Sequence, residues 1–139
     1  FGYRAHLAGY RLLQSSRAVG YHWDNSLRSL EAACNRWQRA GKSAVSLFKT
    51  HPGLQPHLPM LLDKTPVDWS QDNLVLMLKK SVRRLLAYRP MIWSMEKAVA
   101  QLERLYPRQQ ALLLRLYSWV QGSYMALGYR EGLQNAAAD

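Results

Sequence analysis

Three apolar stripes at helical spacing, each marked off by proline, constrain the second half of this chain more than any other feature. Leu74, Val75, Leu78, Val82, Leu85 and Leu86 recur at intervals of three and four. That spacing predicts an amphipathic helix with one broad apolar face. Ser70 is placed to cap it, with Asp72 in its first turn, and it runs to about Tyr88. Lys79, Lys80, Arg83 and Arg84 form its opposite, basic face. Arg89-Pro90 breaks it, and Pro90 suits the first turn of a following helix. That helix runs to about Tyr106, with Ile92, Met95, Val99 and Leu102 inward. Pro107 opens a third helix reaching about Gly132, with the stripe Leu112, Leu113, Leu116, Trp119, Val120, Tyr124 and Leu127. Gly122 and Gly128 weaken it by about 1 kcal/mol each relative to alanine, which points to a closely packed neighbour. Asn135 to Asp139 are expected to fray. Three helices with short connections predict a small up-and-down bundle.

Upstream lies a stretch that proline keeps irregular. Pro52, Pro56, Pro59 and Pro66, with Gly53, exclude a long helix. At most one helical turn fits, over Pro59 to Asp63. This stretch divides the chain into residues 1–52, a connector over 53–71, and a basic helical tail over 72–139. His51 and His57 have no Cys, His or acidic partner at metal-ligand spacing and read as structural.

Before the connector, Asp24, Asn25 or Ser26 can cap a helix whose buried stripe is Leu27, Leu30, Ala33, Cys34 and Trp37. Gly41 is expected to end it. A second short helix then runs from Lys42 to Lys49. Gly41-Lys42-Ser43 would thus form a helix N-terminus, either a phosphate receptor with Lys42 as the cation or an ordinary corner. One Gly-Lys-Ser without a glycine-rich loop is weak evidence for phosphate. Cys34 is the one cysteine, so an internal disulfide is excluded. On an apolar face it reads as a small buried hydrophobe.

The first two dozen residues begin without an N-terminal signal. Phe1 to Leu7 reads as helix, and Gly9 ends it where a left-handed residue is wanted. Tyr10 to Gln14 reads as a strand, Ser15 to Arg17 as a turn, and Ala18 to Trp23 as a second strand. His22 and Asp24, two apart, would share a strand face. Such a hairpin cannot stand alone. The fold class is therefore mainly α: a short N-terminal helix and β-hairpin, then a helical bundle.

Taken in order, several segments form a pattern. They are Phe1-Gly2-Tyr3-Arg4, Gly9-Tyr10-Arg11-Leu12 and Ala18-Val19-Gly20-Tyr21-His22. After them come Arg39-Ala40-Gly41-Lys42-Ser43-Ala44, His51-Pro52, and Gly128-Tyr129-Arg130-Glu131-Gly132. This order resembles the C-terminal part of the catalytic domain of inverting family 2 glycosyltransferases. The resemblance is dense over residues 1–52 and thin over 53–127. It implies that the hairpin is a remnant of an α/β GT-A catalytic domain. The nucleotide-binding half and the catalytic acid pair would then lie upstream of Phe1, and this piece would not catalyse alone. The resemblance implies a divalent metal, Mn or Mg, with His22 as ligand. Asp24 stands where the family often has a second histidine, and either joins His22 on the metal or caps the next helix. Arg4 would either orient the acid pair, contact the donor phosphate, or make a salt bridge. Trp23 would stack on an acceptor sugar or pack as an aromatic. The implied partners are a nucleotide-sugar donor and a saccharide or lipid-linked acceptor.

Charge bears on partners. With 19 Lys and Arg against 9 Asp and Glu, the formal charge is +10. Such a balance favours an anionic partner or a merely basic surface. A nucleic-acid module finds no recognised motif here. An anionic membrane surface fits the basic faces interleaved with Trp93, Tyr117, Trp119, Tyr124 and Tyr129. No apolar run reaches the length of a membrane span. The default setting is cytoplasmic, with a peripheral place at the inner face of the membrane as an alternative. No nucleophile elbow or zinc-type spacing supports a protease or nuclease.

Overall fold

The computed structural model describes residues 2–11, 13, 15, 17 and 29–138. The protein is mainly helical, and no strand occurs among the described residues. Tyr10, Arg11 and Leu13, from the expected first strand, carry no regular structure. The second expected strand, Ala18 to Trp23, lies outside the described residues.

Helix α1 spans Gly2–Leu7 and ends as its sequence predicts. Gly9 adopts φ +83°, the left-handed region that favours glycine. The Tyr10 N–H then donates to the Ala5 carbonyl and the Gly9 N–H to that of His6, both at 3.0 Å. This pair of bonds is a Schellman ending.

Helix α2 spans Leu30–Thr50 without interruption. Its cap is Ser29, whose hydroxyl accepts from the Ala32 N–H at 3.1 Å. The expected stop at Gly41 is therefore corrected. The stripe Leu30, Cys34, Trp37, Gly41, Ala44 and Phe48 alternates steps of four and three straight through the glycine. A 3₁₀ turn, Pro52–His57, and the single-turn helix α3, Pro59–Leu62, follow. Helix α4 spans Leu74–Leu86, α5 Arg89–Leu105 and α6 Gln110–Ala138. Pro90 sits in the first turn of α5, as expected. The fray expected at Asn135 is also corrected, since α6 continues to Ala138.

Helix α6 is the hub. It packs along α2 over most of its C-terminal half and also meets α5 and α4. Residues of α6 enter all three core clusters. Met125 and Tyr129 join Ala44, Val45, Phe48 and Leu61. Ala126 and Leu127 join Ala87 and Ile92. Val120 joins Cys34 and Val99. A helix covered on several sides needs small or apolar residues all round rather than one stripe. Accordingly Ser123 and the run from Met125 to Tyr129 are all buried. Two members of the expected α6 stripe, Leu112 and Trp119, are instead half exposed, at 46% and 49%.

The α2–α6 contact depends on glycine. A Cβ at Gly128 would lie 2.7 Å from the Gln38 carbonyl carbon and closer still to its oxygen. One at Gly41 would press on the Met125 carbonyl, and one at Gly132 would lie 2.8 Å from the Lys42 carbonyl oxygen. The backbones touch along this seam, and only glycine admits that approach.

Candidate functional site

The structure separates the residues singled out by sequence. His22 and Asp24 lie outside the described residues, as does Trp23. Arg4 is exposed on α1 and makes no side-chain hydrogen bond or ion pair with a described residue. Beside it, Tyr3 packs edge-on to the His51 ring, centroids 5.7 Å apart at 72°. Lys42 lies inside α2, so the free N–H groups of a helix N-terminus are absent there. With the Asn135 amide oriented to satisfy both neighbours, its oxygen accepts from Lys42 Nζ at 3.0 Å. Cys34 is buried, and that burial, with the Glu96 carboxylate nearby, pushes its thiol up to about 12. It therefore stays protonated and is a packing residue.

The largest departure concerns α4. Its apolar stripe faces solvent: Leu74 is 83% exposed, Leu78 66% and Leu85 59%, with Val75 and Val82 beside them. The basic face turns inward instead. Lys80 is buried and donates to Asp72 at 2.6 Å and to the Pro66 carbonyl at 3.0 Å. Arg83 meets Asp63 at 3.3 Å, donates to the Trp119 carbonyl at 3.2 Å, and lies 5.2 Å from the Trp119 ring centroid. Lys64 also pairs with Asp63.

The loop before α4 prepares this arrangement. Asp68 accepts from the Ser70 hydroxyl at 2.6 Å, the Ser70 N–H at 2.9 Å and the Gln71 N–H at 3.2 Å. Asp72 accepts from the Asp68 N–H at 2.7 Å. The Ser70 hydroxyl, above all, holds the Asp68 carboxyl below the usual range, and the Lys80 bond does the same for Asp72. The helix cap is consequently Asn73, accepting from the Leu76 N–H at 2.8 Å, rather than Ser70.

Between this loop, α4 and α6 lies a cavity of about 200 Å³. Five cations line it: Lys64, Lys80, Arg83, Arg84 and Arg130. Ala87, Ala126 and Tyr129 form its apolar part. Arg130 is fixed there, donating to the Ala87 carbonyl at 3.2 Å and stacking 5.0 Å from the Tyr88 ring. The sequence showed the Lys79-Lys80-Arg83-Arg84 cluster but not that half of it turns inward. Lys64 and Arg130, far along the chain, gave no signal of joining it.

No protein-family model, curated protein or solved structure matches the chain. Among the described residues, no group of three or more His, Cys, Asp or Glu is placed to hold a metal. No helix of the described residues is long and apolar enough to cross a membrane.

Proposed function

We propose that this chain is the C-terminal part of an inverting family 2 glycosyltransferase. Its parent would transfer a sugar from a nucleotide-sugar donor to a saccharide or lipid-linked acceptor at the cytoplasmic side of the membrane. One observation carries the reading: segments resembling the family's in order also pack together in pairs. Arg39–Ala44 and Gly128–Gly132 lie backbone to backbone on α2 and α6. Tyr3, of the first of these segments, meets His51. Glycines that serve a seam of this kind explain why both segments carry them at these positions.

In this reading His22 and Asp24 would hold the divalent metal, Mn or Mg, which neutralises charge on the leaving diphosphate. Arg4, with no side-chain hydrogen bond or ion pair to a described residue, is available to a phosphate or to the acid pair. The test uses the parent chain with the residues upstream of Phe1. Mn²⁺- or Mg²⁺-dependent turnover of a panel of sugar nucleotides is measured beside His22→Ala. Turnover that collapses in the variant supports the class and the role of His22. Turnover that survives keeps the class and removes His22 from the metal. No turnover with any donor sinks the reading.

A second, compatible reading is docking on an anionic membrane surface, and the exposed stripe of α4 favours it. No acidic residue lies on this helix, and Lys79 and Arg84 flank the stripe. Apolar side chains flanked by cations suit the headgroup boundary of an anionic bilayer. The chain should co-sediment with phosphatidylglycerol-containing vesicles, and Leu78→Ser with Leu85→Ser should abolish this. Dimerisation in solution that the same pair of changes removes would instead assign the stripe to a second copy. Salt-sensitive binding to duplex DNA, unaffected by those changes, would favour a nucleic-acid module.

A further inference from the structure

We propose that the cavity between the 63–67 loop, α4 and α6 is a binding site for a phosphate-bearing anion. The argument begins with charge. The five lining cations are met by two carboxylates, Asp63 in the lining and Asp72 on Lys80. Asp68 also acts on Lys80 from beside the lining, so an excess of two positive charges stays in one small space.

That space is not open water. The side chains of Lys64, Lys80 and Arg83 are 10%, 6% and 15% exposed. Tyr129, Ala87 and Ala126 line the cavity beside them. Like charges crowded against apolar walls repel more strongly than at a solvated surface. An anion relieves that repulsion, and each charge-assisted bond it accepts is stronger than a neutral one. Arginine's planar fork suits phosphate oxygens in pairs.

The cations are also positioned before any ligand arrives. Arg83 is held by Asp63 and the Trp119 carbonyl, Lys80 by Asp72 and the Pro66 carbonyl, and Arg130 by the Ala87 carbonyl and the Tyr88 ring. Side chains already ordered lose little freedom on binding. Arg84 makes no hydrogen bond or ion pair with a described residue, so its guanidinium is available to a ligand. One water needs about 10–15 Å³ of such space, so a cavity of this size admits a small polyatomic anion.

Two sources present this chemistry: a soluble diphosphate group and a phosphorylated lipid headgroup. Inorganic pyrophosphate serves as probe for the first. Phosphatidylcholine vesicles containing phosphatidic acid serve for the second. Binding of each to the intact chain is measured by calorimetry or sedimentation, against chloride at matched ionic strength. Arg84→Gln, at an exposed side chain that bonds to no described residue, should weaken binding roughly tenfold, the effect of about one charge-assisted contact. Asp63→Asn removes a competing charge while its amide oxygen can still hold Arg83, and should tighten it. Circular dichroism checks that both variants are folded, and Leu78→Ser with Leu85→Ser separates the cavity from the α4 stripe.

Pyrophosphate binding that responds to Arg84→Gln, but not to the stripe variant, assigns a soluble diphosphate ligand. Vesicle binding alone, with the same response, assigns a lipid headgroup. Binding of neither probe above chloride, or binding indifferent to both Arg84→Gln and Asp63→Asn, overturns the proposal. None of these outcomes depends on the glycosyltransferase reading.

Discussion

Replacing Gly128 by alanine is the sharpest test of how this fold is held. In an ordinary helix interior the change stabilises by about 1 kcal/mol, because alanine loses less backbone freedom. Here the added Cβ would sit 2.7 Å from the Gln38 carbonyl carbon and nearer its oxygen. Carbon pairs pack at about 3.5–4.0 Å, so the two helices must part by roughly 1 Å. The obstacle is backbone, not the tip of a flexible side chain. Overpacking of this kind costs about 1–3 kcal/mol, and a rigid obstacle belongs at the upper end. Parting the seam also loosens Gly41 against Met125 and Gly132 against Lys42. The expected net loss is about 1–2 kcal/mol, or roughly 3–10 °C in Tm for a chain of this size. Gly122→Ala is the internal control. Its Cβ would meet the Arg83 guanidinium at 2.7 Å, which a flexible side chain can yield. That variant should melt near the parent, because the gain of about 1 kcal/mol in helix propensity is offset by shifting Arg83 from the Trp119 carbonyl. Thermal and urea unfolding of both variants decide the matter. If Gly128→Ala melts at or above the parent, the seam is not as tight as argued, and α2 and α6 are held by their apolar clusters alone.

Other perturbations follow the same geometry. Cys34, with its thiol pushed up to about 12, should resist a thiol reagent at pH 8 in the folded chain and react at once in denaturant. Tyr124→Phe deletes a 2.8 Å bond to Glu96, and unfolding in urea should show a loss of about 1–2 kcal/mol. Asp68 and Asp72 both have lowered carboxyl pKa values, so their stabilisation is present above the unfolded value of about 3.9 and is lost as pH falls further. The melting temperature should therefore decline on acidification below about pH 4, and less steeply in Asp72→Asn.

The helices were legible where local signals agreed. Gly9 and Pro90 mark a helix end and a helix start through backbone rules that need no tertiary partner. Gly41 misled because one residue serves two purposes. As punctuation it reads as a stop, yet its place in the stripe from Leu30 to Phe48 marks it as a contact position. The alternating steps of four and three carried the correct answer. The cap of α4 was misplaced for a related reason, since Ser70 and Asp72 close the Asp68 turn instead. The cavity was not legible at all. Its cations come from residues 64, 80–84 and 130, and only the docking of α4 on α6 brings them together.

The inward turn of α4's basic face has a physical cause in its neighbours. Helix α6 is already covered by α2 and α5, and the side left to α4 presents acceptors. The Trp119 carbonyl takes Arg83, and Gly122 leaves room for its guanidinium. The preceding loop adds Asp63, Asp72 and the Pro66 carbonyl. Rotating α4 by half a turn would bury its stripe but leave two carboxylates without their cations beside α6. Burial of the stripe favours that rotation, and the loss of these ion pairs and carbonyl contacts opposes it. What tips the balance is that the observed one satisfies each buried polar side-chain atom among the described residues. The cost is an apolar helix face left to water. A surface that covers the stripe without disturbing Lys80 and Arg83 gains that burial at no electrostatic loss, which is why an external partner, rather than a rotation of α4, is the expected means of covering it.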